Sequence, residues 1–591
     1  MTEEFAVMGK RLPRADALEK VKGEAKFASD MELPRMLHSK FLRSPHPHAK
    51  ITRIDASKAK ALPGVKAVLI HKNVPKMHAF ASTMRTKKKF EYLLDETVHY
   101  AGEEVAAVAA VTREIAEKAI DLIEVEYHVL PAVFDKEEAM KPDAPLVHPE
   151  LGTNLYQDKR SVNGVLPFEY GDVEEGFADA DHIIDGTFES PFQHHVSPEP
   201  RAVLCEWIGP ELTCWVSTQI PQAIREELST GLDLPLSNVR VISSNTVGGY
   251  GGKQPNKTCV LVAMMARKTG RPVKAQFTRA EDLIATHRRI DAKIYGKVGI
   301  KLDGSLTALY TRMITNYGRD STFGYNIPAN AASTTCSMLY NYPTIKFEGY
   351  HVITNIQDHG AFNGYGIPES TFCIERLMDE AAEKIGMDPV AFRFKNCTRY
   401  GDKATDLMTV AYGPVEWHVT GPDVDSFPVC IEKVAEKACW KDKWKGWTTP
   451  VEVNGSKRKG IGIAIGMHHS LSRTPDAATV KMNHDGTAIV LSSDPEIGQG
   501  ISSAMRQVVA EVLGLGAEDV NVFLADTKAA PFGHGIFGSR GTIAATGSAY
   551  YAALDVKKQL FDIAAKKLEA SPEDLVAMDR KISVKGSPQK S

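Results

Sequence analysis

Five short stretches of this 591-residue chain carry residues suited to close work on a ligand. They are STQ (Ser217–Gln219), TVGGYGGKQ (Thr246–Gln254), HGAFNGYGIPE (His359–Glu369), EIGQG (Glu496–Gly500) and GSRGT (Gly538–Thr542). Glycine takes positive φ and has no Cβ, so Gly248, Gly249, Gly251, Gly252, Gly364, Gly498, Gly500 and Gly538 let backbone N–H groups come close to a bound group. Gln219 and Gln499 add amides, and Ser539 and Thr542 add hydroxyls. Such a set, with few charges, suits a large anionic cofactor rich in acceptors. Taken one at a time, each stretch also reads as an ordinary turn; five in one chain favour the cofactor.

Competing chemistries fail on specific positions. A phosphate loop of the GxxxxGK[ST] type needs glycine at Val247 and a hydroxyl at Gln254, and the GxGxxG dinucleotide pattern breaks after Gly251. The adjacent pairs His194–His195 and His468–His469 cannot readily aim two rings at one ion from a regular helix or strand, so they read as structural. There is no nucleophile elbow of a serine hydrolase. The formal charge of −3 gives no footprint for nucleic acid or an anionic membrane. Basic runs such as MRTKKKFEY and THRRI read as solvated faces. None of the eight cysteines has CxxC spacing, so an iron–sulfur cluster is not expected on this chain. Scattered thiols, a charged N-terminal stretch and no run of roughly 18 apolar residues fit a cytoplasmic protein without a membrane span.

The elements that must position these loops are α/β in character. AVLIH and EVAAVAAV have the continuous apolar character of buried strands, and TREIAEKAIDLIEVEY has helical spacing running into a strand. LPAVFDKEEAMKPDAPLVHPELG, rich in proline, reads as a connection, and KACWKDKWKGWTTPVEVNGSKRKG as a boundary or surface excursion. Two segments resemble each other: STQIPQAIREELSTGLDLPLSNVRVISSNTVGGYGGK and GQGISSAMRQVVAEVLGLGAEDVNVFLADTKAAPFGHGIFGSRGT. Each has a glutamine (Gln219, Gln499) before a helix, then a turn, a strand and a glycine-rich loop. The match suggests two related half-domains gripping one ligand, although helix–turn–strand units also look alike by chance.

At these residues the chain resembles the molybdenum-cofactor subunit of the xanthine oxidase family, the molybdenum hydroxylases. The likeness runs over nearly the whole length. VKGEAKFASDMELPRMLHSKFLRSPHPHAKI, LPGVKAVL and AGEEVAAVAAVTREIAEKAIDLIEVEYHVLPAV resemble its N-terminal hammerhead domain, and FQHHVSPEPRAVLCEW opens its first cofactor-binding half. The implied α/β (α+β) architecture is a hammerhead-type domain over 1–135, a linker over 136–164, a first cofactor half over 165–410, a connection over 411–460 and the start of a second half over 461–591.

Carried over position by position, the resemblance makes Gln219 the amide near the apical oxygen of molybdenum. Gly248, Gly249, Tyr250, Gly251 and Gly252 form the main-chain loop facing the metal's oxygens, with Tyr250 in a phenylalanine position. Phe362, Asn363 and Gly364 form another, with Asn363 where relatives carry arginine; Tyr365 takes an aromatic place beside a planar substrate. Gly498, Gln499 and Gly500, and Gly538, Ser539 and Thr542, complete the cofactor contacts. Gln219, Tyr250, Asn363 and Gly538 would surround the metal without ligating it. Gln254 stands where purine-oxidising relatives have a substrate-binding glutamate, which disfavours a purine. The family's catalytic glutamate, in a GxGE motif, has no counterpart here; Glu199 and Glu496 do not match it, so the general base is expected on another chain.

The resemblance implies a molybdopterin, in its cytosine dinucleotide form, and hydroxylation of an electron-poor carbon in an N-heteroaromatic, aldehyde or aromatic compound, with water as oxygen source. It implies a second chain completing the molybdenum domain, [2Fe–2S] and FAD subunits as electron carriers, and a dimer of heteromers. Reductive dehydroxylation of an aromatic thioester, a hydratase-type reaction and a non-catalytic scaffold are the alternatives.

Overall fold

A computed structural model describes residues 5–80, 87–243, 245–254, 257–320, 323–400, 402, 425–468 and 474–591. Part of MRTKKKFEY and His469 fall outside them. The labelled elements run in chain order as β1 (Leu37–Arg43), β2 (Val65–Ile70), β3 (Glu104–Ala110), α1 (Arg113–Asp121), β4 (Val165–Tyr170), β5 (His182–Ser190), β6 (Ala202–Ile208) and β7 (Glu211–Val216). Then come α2 (Pro221–Gly231), β8 (Val239–Ile242), α3 (Thr258–Thr269), β9 (Val273–Gln276), β10 (Ala292–Ile300), β11 (Leu306–Gly318), α4 (Asn326–Ser337), β12 (Thr344–Ile353) and α5 (Ile367–Lys384). Last are β13 (Thr479–Met482), β14 (Ala488–Ser492), α6 (Ile501–Leu513), β15 (Val520–Leu524) and α7 (Thr546–Leu568).

The chain folds as two compact units, each assembled from separate segments. The first takes Met1–Leu130, His195–Thr286 and Ser470–Ser591; the second takes Pro131–His194 and His287–His469. In the first, a seven-stranded sheet has the order β8-β7-β6-β9-β1-β3-β2. Strands from residues 37–110 and 202–276 thus share one sheet, joined where Leu37 pairs Val273 in parallel. β3 shows why its sequence is apolar after Glu104: every residue is buried, and Glu104 itself is paired with Arg43 and Lys257. Ala107 and Ala109 enter one core with Leu37, Phe41 and Leu69, while Ala106 and Val108 enter another with Val68 and Ile70. A strand covered on both faces needs no polar alternation. After it, the Thr112 side chain caps α1 by accepting the Ile115 N–H.

Residues 479–524 add a three-stranded sheet, β13-β14-β15, in the same unit. Its apolar face packs on α6 and α7 through Val490, Val509, Met505, Ala545 and Ala549.

The second unit is built on a five-stranded sheet of order β5-β10-β11-β12-β4. Its core gathers Ile294, Met313, Phe347, Leu377 and Phe392 beneath α5. The tryptophan-rich stretch belongs here. Its hairpin at Glu452–Asn454 and Lys457–Lys459 is exposed, as read. Its tryptophans are anchors: Trp440 is buried with its N–H on Asp388, and Trp447 donates to the Met387 carbonyl. Indoles bury area while placing one donor, so a charged composition concealed two fixed points.

Candidate functional site

The repeated motif exists as geometry in the first unit. β7 leads through Ser217–Ile220 into α2, a 3₁₀ turn and β8, which lies parallel to β7. β14 leads through residues 493–500 into α6, a 3₁₀ turn and β15, parallel to β14. The two copies meet edge to edge. Ser243 N–H donates to Ala525 O, Thr527 N–H to Val241 O, and Thr246 N–H to Glu496 O. Loops at matching ends of the two copies, 246–254 and 496–500, are therefore neighbours, tied further by Gly248 N–H to Ile497 O.

Gln219 is the node between loops. Its Oε1 accepts Gly251 N–H at 3.0 Å and Lys253 N–H at 3.3 Å, and its Nε2 donates to Ile536 O at 2.9 Å. The side chain is buried and one Nε2 hydrogen remains for another acceptor. Space here is tight. A Cβ on Gly249 would lie 2.4 Å from Gln219 Cδ, so only glycine lets this loop cross the amide. The Gly249 and Tyr250 N–H groups make no hydrogen bond with the described residues. Tyr250 is exposed at φ 52°.

Buried carboxylates support the loops from within. Glu199 accepts Val247 N–H and the Lys253 ammonium, at 3.0 and 2.7 Å. Burial pulls the Lys253 pKa down, with Glu199 opposing. Glu496 accepts Gly498 N–H at 3.0 Å, Gly500 N–H at 2.9 Å and the Ser502 hydroxyl at 3.2 Å. Gln499 is exposed but folds back, accepting Ile497 N–H and donating to Pro495 O. The loop ending at Thr542 is held by Arg540, which is fully buried. Arg540 pairs with Asp476 at 2.7 Å and donates to Gly535 O and Thr474 O. Asp494 accepts Gly535 N–H. Burial first, then the charge of Asp476, pushes Asp494 up to about 6, with Arg540 opposing. Gly538 and Ser539 have φ of 53° and 58°, and Gly541–Ala545 forms a π-helical turn, a deformation common at functional sites. Ser539 and Thr542 are exposed.

Gln254 is buried. It lines a cavity of about 20 Å³ with Arg201, Ser217 and Thr258, among others, and its Oε1 has no hydrogen-bond partner. That space suits one water molecule.

In the second unit, the loop Phe362–Gly366 leads into α5. Here THRRI departs from its reading as a solvated face: Arg288 and Arg289 are buried. Arg289 donates to Glu369 at 2.8 Å and to Asn363 O at 2.6 Å, with its guanidinium 4.1 Å from the Phe362 ring centre. Asn330 donates to Tyr365 O at 2.8 Å. Arginine's planar fork can bridge a carboxylate, a carbonyl and a ring face at once, which lets it be buried. Asn363 itself is exposed, while Gly364 and Tyr365 are half-buried. Arg288 covers the Phe192 ring, and its pKa is lowered to about 10 by burial.

Gln219, the 248–252 loop, the 498–500 loop and the 538–542 loop thus share the first unit, and Phe362, Asn363, Gly364 and Tyr365 the second. Unbonded N–H groups beside a glutamine amide fit an acceptor-rich anionic group, and the crowding at Gly249 is the kind of cradle a side chain would fill. Among the described residues, no cluster of three His, Cys, Asp or Glu side chains has metal-holding geometry. No helix among them is long and apolar enough to cross a membrane. The sequence did not show Arg289, Arg540 and Glu496 as supports; a charged residue inside a glycine-rich loop is a signal for Arg540 and Glu496, whereas Arg289 lies 74 positions from Asn363 and carries no such signal.

The chain is similar to known proteins over most of its length. Residues 22–131 match the aldehyde oxidase and xanthine dehydrogenase a/b hammerhead domain, and residues 147–397 and 433–591 match molybdopterin cofactor-binding domains. The chain is 31% identical to a protein of Escherichia coli O157:H7 named as a probable hypoxanthine oxidase, XdhD, across 96% of this chain and 62% of that one. It is also 31% identical to the xanthine dehydrogenase molybdenum-binding subunit of the same organism, across 98% of this chain and 75% of that one. A solved structure of CO dehydrogenase from Oligotropha carboxidovorans superposes with a TM-score of 0.82 at 26% identity, covering 99% of this chain and 75% of its own. The chain therefore spans under two thirds of XdhD.

Proposed function

This chain belongs to the xanthine oxidase family of molybdenum-cofactor-binding subunits, and on that premise we propose that it hydroxylates an electron-poor carbon within a multi-subunit oxidoreductase. The observation that carries the proposal is the Gln219 node, which locks two glycine loops together yet keeps an amide hydrogen and the Gly249 and Tyr250 N–H groups uncommitted. In the first unit, Gln219, Gly249, Tyr250, Gly498 and Gly538 would hold a molybdopterin of the cytosine dinucleotide form. In the second, Phe362, Asn363 and Gly364 would do so. When bound, that group supplies the two-electron oxidation that turns C–H into C–OH with water as oxygen source.

The chain's own residues orient and stabilise. Preorganised N–H donors favour charge that builds on an oxygen facing them, at no reorganisation cost. Tyr365 offers a ring face to a planar substrate, and the neutral Asn363 and Gln254 favour an N-heteroaromatic, aldehyde or aromatic compound over a purine. Glu199 and Glu496 already serve backbone N–H groups or a cation, so neither is an idle base. We assign the proton acceptor to a glutamate outside these residues, with [2Fe–2S] and FAD partners taking the electrons and the whole forming a dimer of heteromers.

The test is metal and pterin analysis of the natively purified complex. About one molybdenum and one releasable pterin per copy of this chain are expected, with CMP released on acid hydrolysis. Zinc alone, or no pterin, defeats the proposal.

A further inference from the structure

The first unit holds a contact that neither the motifs nor the proposed reaction uses. Residues 5–16 run as a strap over α6. Glu511 accepts the N–H groups of Ala6, Val7 and Met8, at 3.1, 2.6 and 3.1 Å. Gln507 donates to Lys10 O, and Ala15 N–H donates to the Ser503 hydroxyl, both at 2.9 Å. Val7 joins the apolar cluster under the helix. The strap ends in Arg14, whose guanidinium grips Asp16 through Nε and Nη2 at 2.9 and 2.8 Å. Its Nη1 donates to Gly498 O at 3.0 Å, and Nη2 lies 3.5 Å from Glu496 Oε1.

We propose that Arg14 is a positioning residue that holds the Glu496–Gly500 loop in its cofactor-binding shape, closing from outside what Glu496 closes from inside. The loop needs two restraints because its glycines are intrinsically loose. Gly498 and Gly500 have φ of 106° and 84°, and a Cβ on Gly498 would meet nothing within 4 Å. Packing therefore does not fix Gly498. Glu496 takes the loop's N–H groups; Arg14 takes its carbonyl and is the cation paired with that buried carboxylate among the described residues. Because Arg14 is anchored on Asp16 and carried by a strap bonded to Glu511, Gln507 and Ser503, its grip does not depend on side-chain rigidity alone. That the loop's shape matters for a pterin rests on the function proposed above; that Arg14 fixes the shape does not.

The experiment compares wild type, Arg14→Ala and Arg14→Lys in the full chain with its co-purifying subunits. Amide hydrogen exchange is read at residues 497–503, and pterin retention is followed during prolonged dialysis. Losing charge-assisted bonds should speed exchange in that stretch by about tenfold or more in Arg14→Ala. Exchange at Val239–Ile242 should stay as it was, showing that the unit is still folded. Pterin should leave several-fold faster, and Arg14→Lys should recover only part of both effects, because an ammonium cannot bridge Asp16 and Gly498 in a fixed fork. Unchanged exchange at 497–503, or equal acceleration everywhere, overturns the positioning role. Faster exchange with unchanged pterin retention overturns its link to the cofactor. A wild-type complex without pterin defeats the proposed function instead, and the exchange comparison still decides the role of Arg14.

Discussion

The glycine loops of the first unit are held through both their N–H groups and their carbonyls, those of the second through carbonyls. In the first, acceptors reach loop N–H groups (Glu496 to Gly498 and Gly500, Gln219 to Gly251 and Lys253, Glu199 to Val247, Asp494 to Gly535), while Arg14, Arg540 and Gln219 donate to the carbonyls of Gly498, Gly535 and Ile536. In the second, donors reach loop carbonyls: Arg289 to Asn363 and Asn330 to Tyr365. A loop set on carboxylates and an amide uses up many of its own N–H groups, and among the described residues those of Gly249 and Tyr250 are left over. A loop set on a guanidinium uses carbonyls instead and rests near a positive charge. Similar glycine-rich strings therefore do different electrostatic work, and substitutions should tell them apart.

The largest effect is expected from Glu496→Ala, which strips the inner restraint and takes the acceptor from the Gly498 and Gly500 N–H groups and the buried Ser502 hydroxyl. The cost should be about 3–5 kcal/mol, seen as a drop of roughly 10 °C in the thermal midpoint of the first unit. Glu496→Gln, which retains an amide oxygen, should lose far less; equal losses would mean that the carboxylate's bonds are not what fixes the loop.

Arg289→Ala comes next. It leaves Glu369, whose side chain is fully buried, as an unpaired charge, at about 3 kcal/mol. Here the polarity of the support becomes testable: Glu369→Gln should rescue Arg289→Ala in a double-mutant cycle. Additive losses would show that the guanidinium acts on the loop carbonyl alone.

Gly249→Ala and Gly498→Ala separate crowding from backbone strain. The first drives a Cβ into Gln219, with an expected cost of about 1–3 kcal/mol. The second meets open space but imposes φ 106° on an L-residue, at about 1 kcal/mol. Denaturant midpoints give the ranking, and a reversal would contradict the tight crossing at Gln219.

The smallest effect is in pH. Asp494, raised to about 6 by burial and by Asp476, binds its proton more tightly when folded. Its contribution to stability is fully present below about pH 4 and is lost as pH rises through about 6, with a slope of at most about 1.4 kcal/mol per pH unit. The difference between wild type and Asp494→Asn in thermal midpoint should therefore change across that interval. It should be flat there if Asp494 titrates normally.

Much of this was legible in the chain. The glycine loops are local strings, and the duplicated helix–turn–strand unit keeps the same order in both copies, with helices of 11 and 13 residues, so its pseudo-symmetry could be read without coordinates. The buried strand β3 announced itself by lacking any polar alternation. The supports were not legible, because they act across the sequence. Arg14 meets a loop 484 positions away, and no local periodicity encodes that distance. Arg289 sits in a basic run whose average property, charge, points outward; only a carboxylate, a carbonyl and a ring converging from residues 362–369 make burial tolerable. Glu496 showed in the sequence only as an acid that does not match the catalytic position, because its loop partners at Gly498 and Gly500 are main-chain atoms, which every sequence possesses.

The strap also sets a timetable. Arg14 leaves the ribosome long before Glu496 exists. At roughly 5–20 residues per second, the interval is on the order of 25–100 s. For that time residues 5–16 have no helix α6 to lie on, and the 496–500 loop, once made, still needs them to return. The contact is among the most sequence-distant in the first unit, and closing it costs chain entropy that nearer contacts do not. The loop is thus finished late, by a segment made well before it, and a fusion or tag that hinders residues 5–16 would act on a loop 484 positions beyond Arg14.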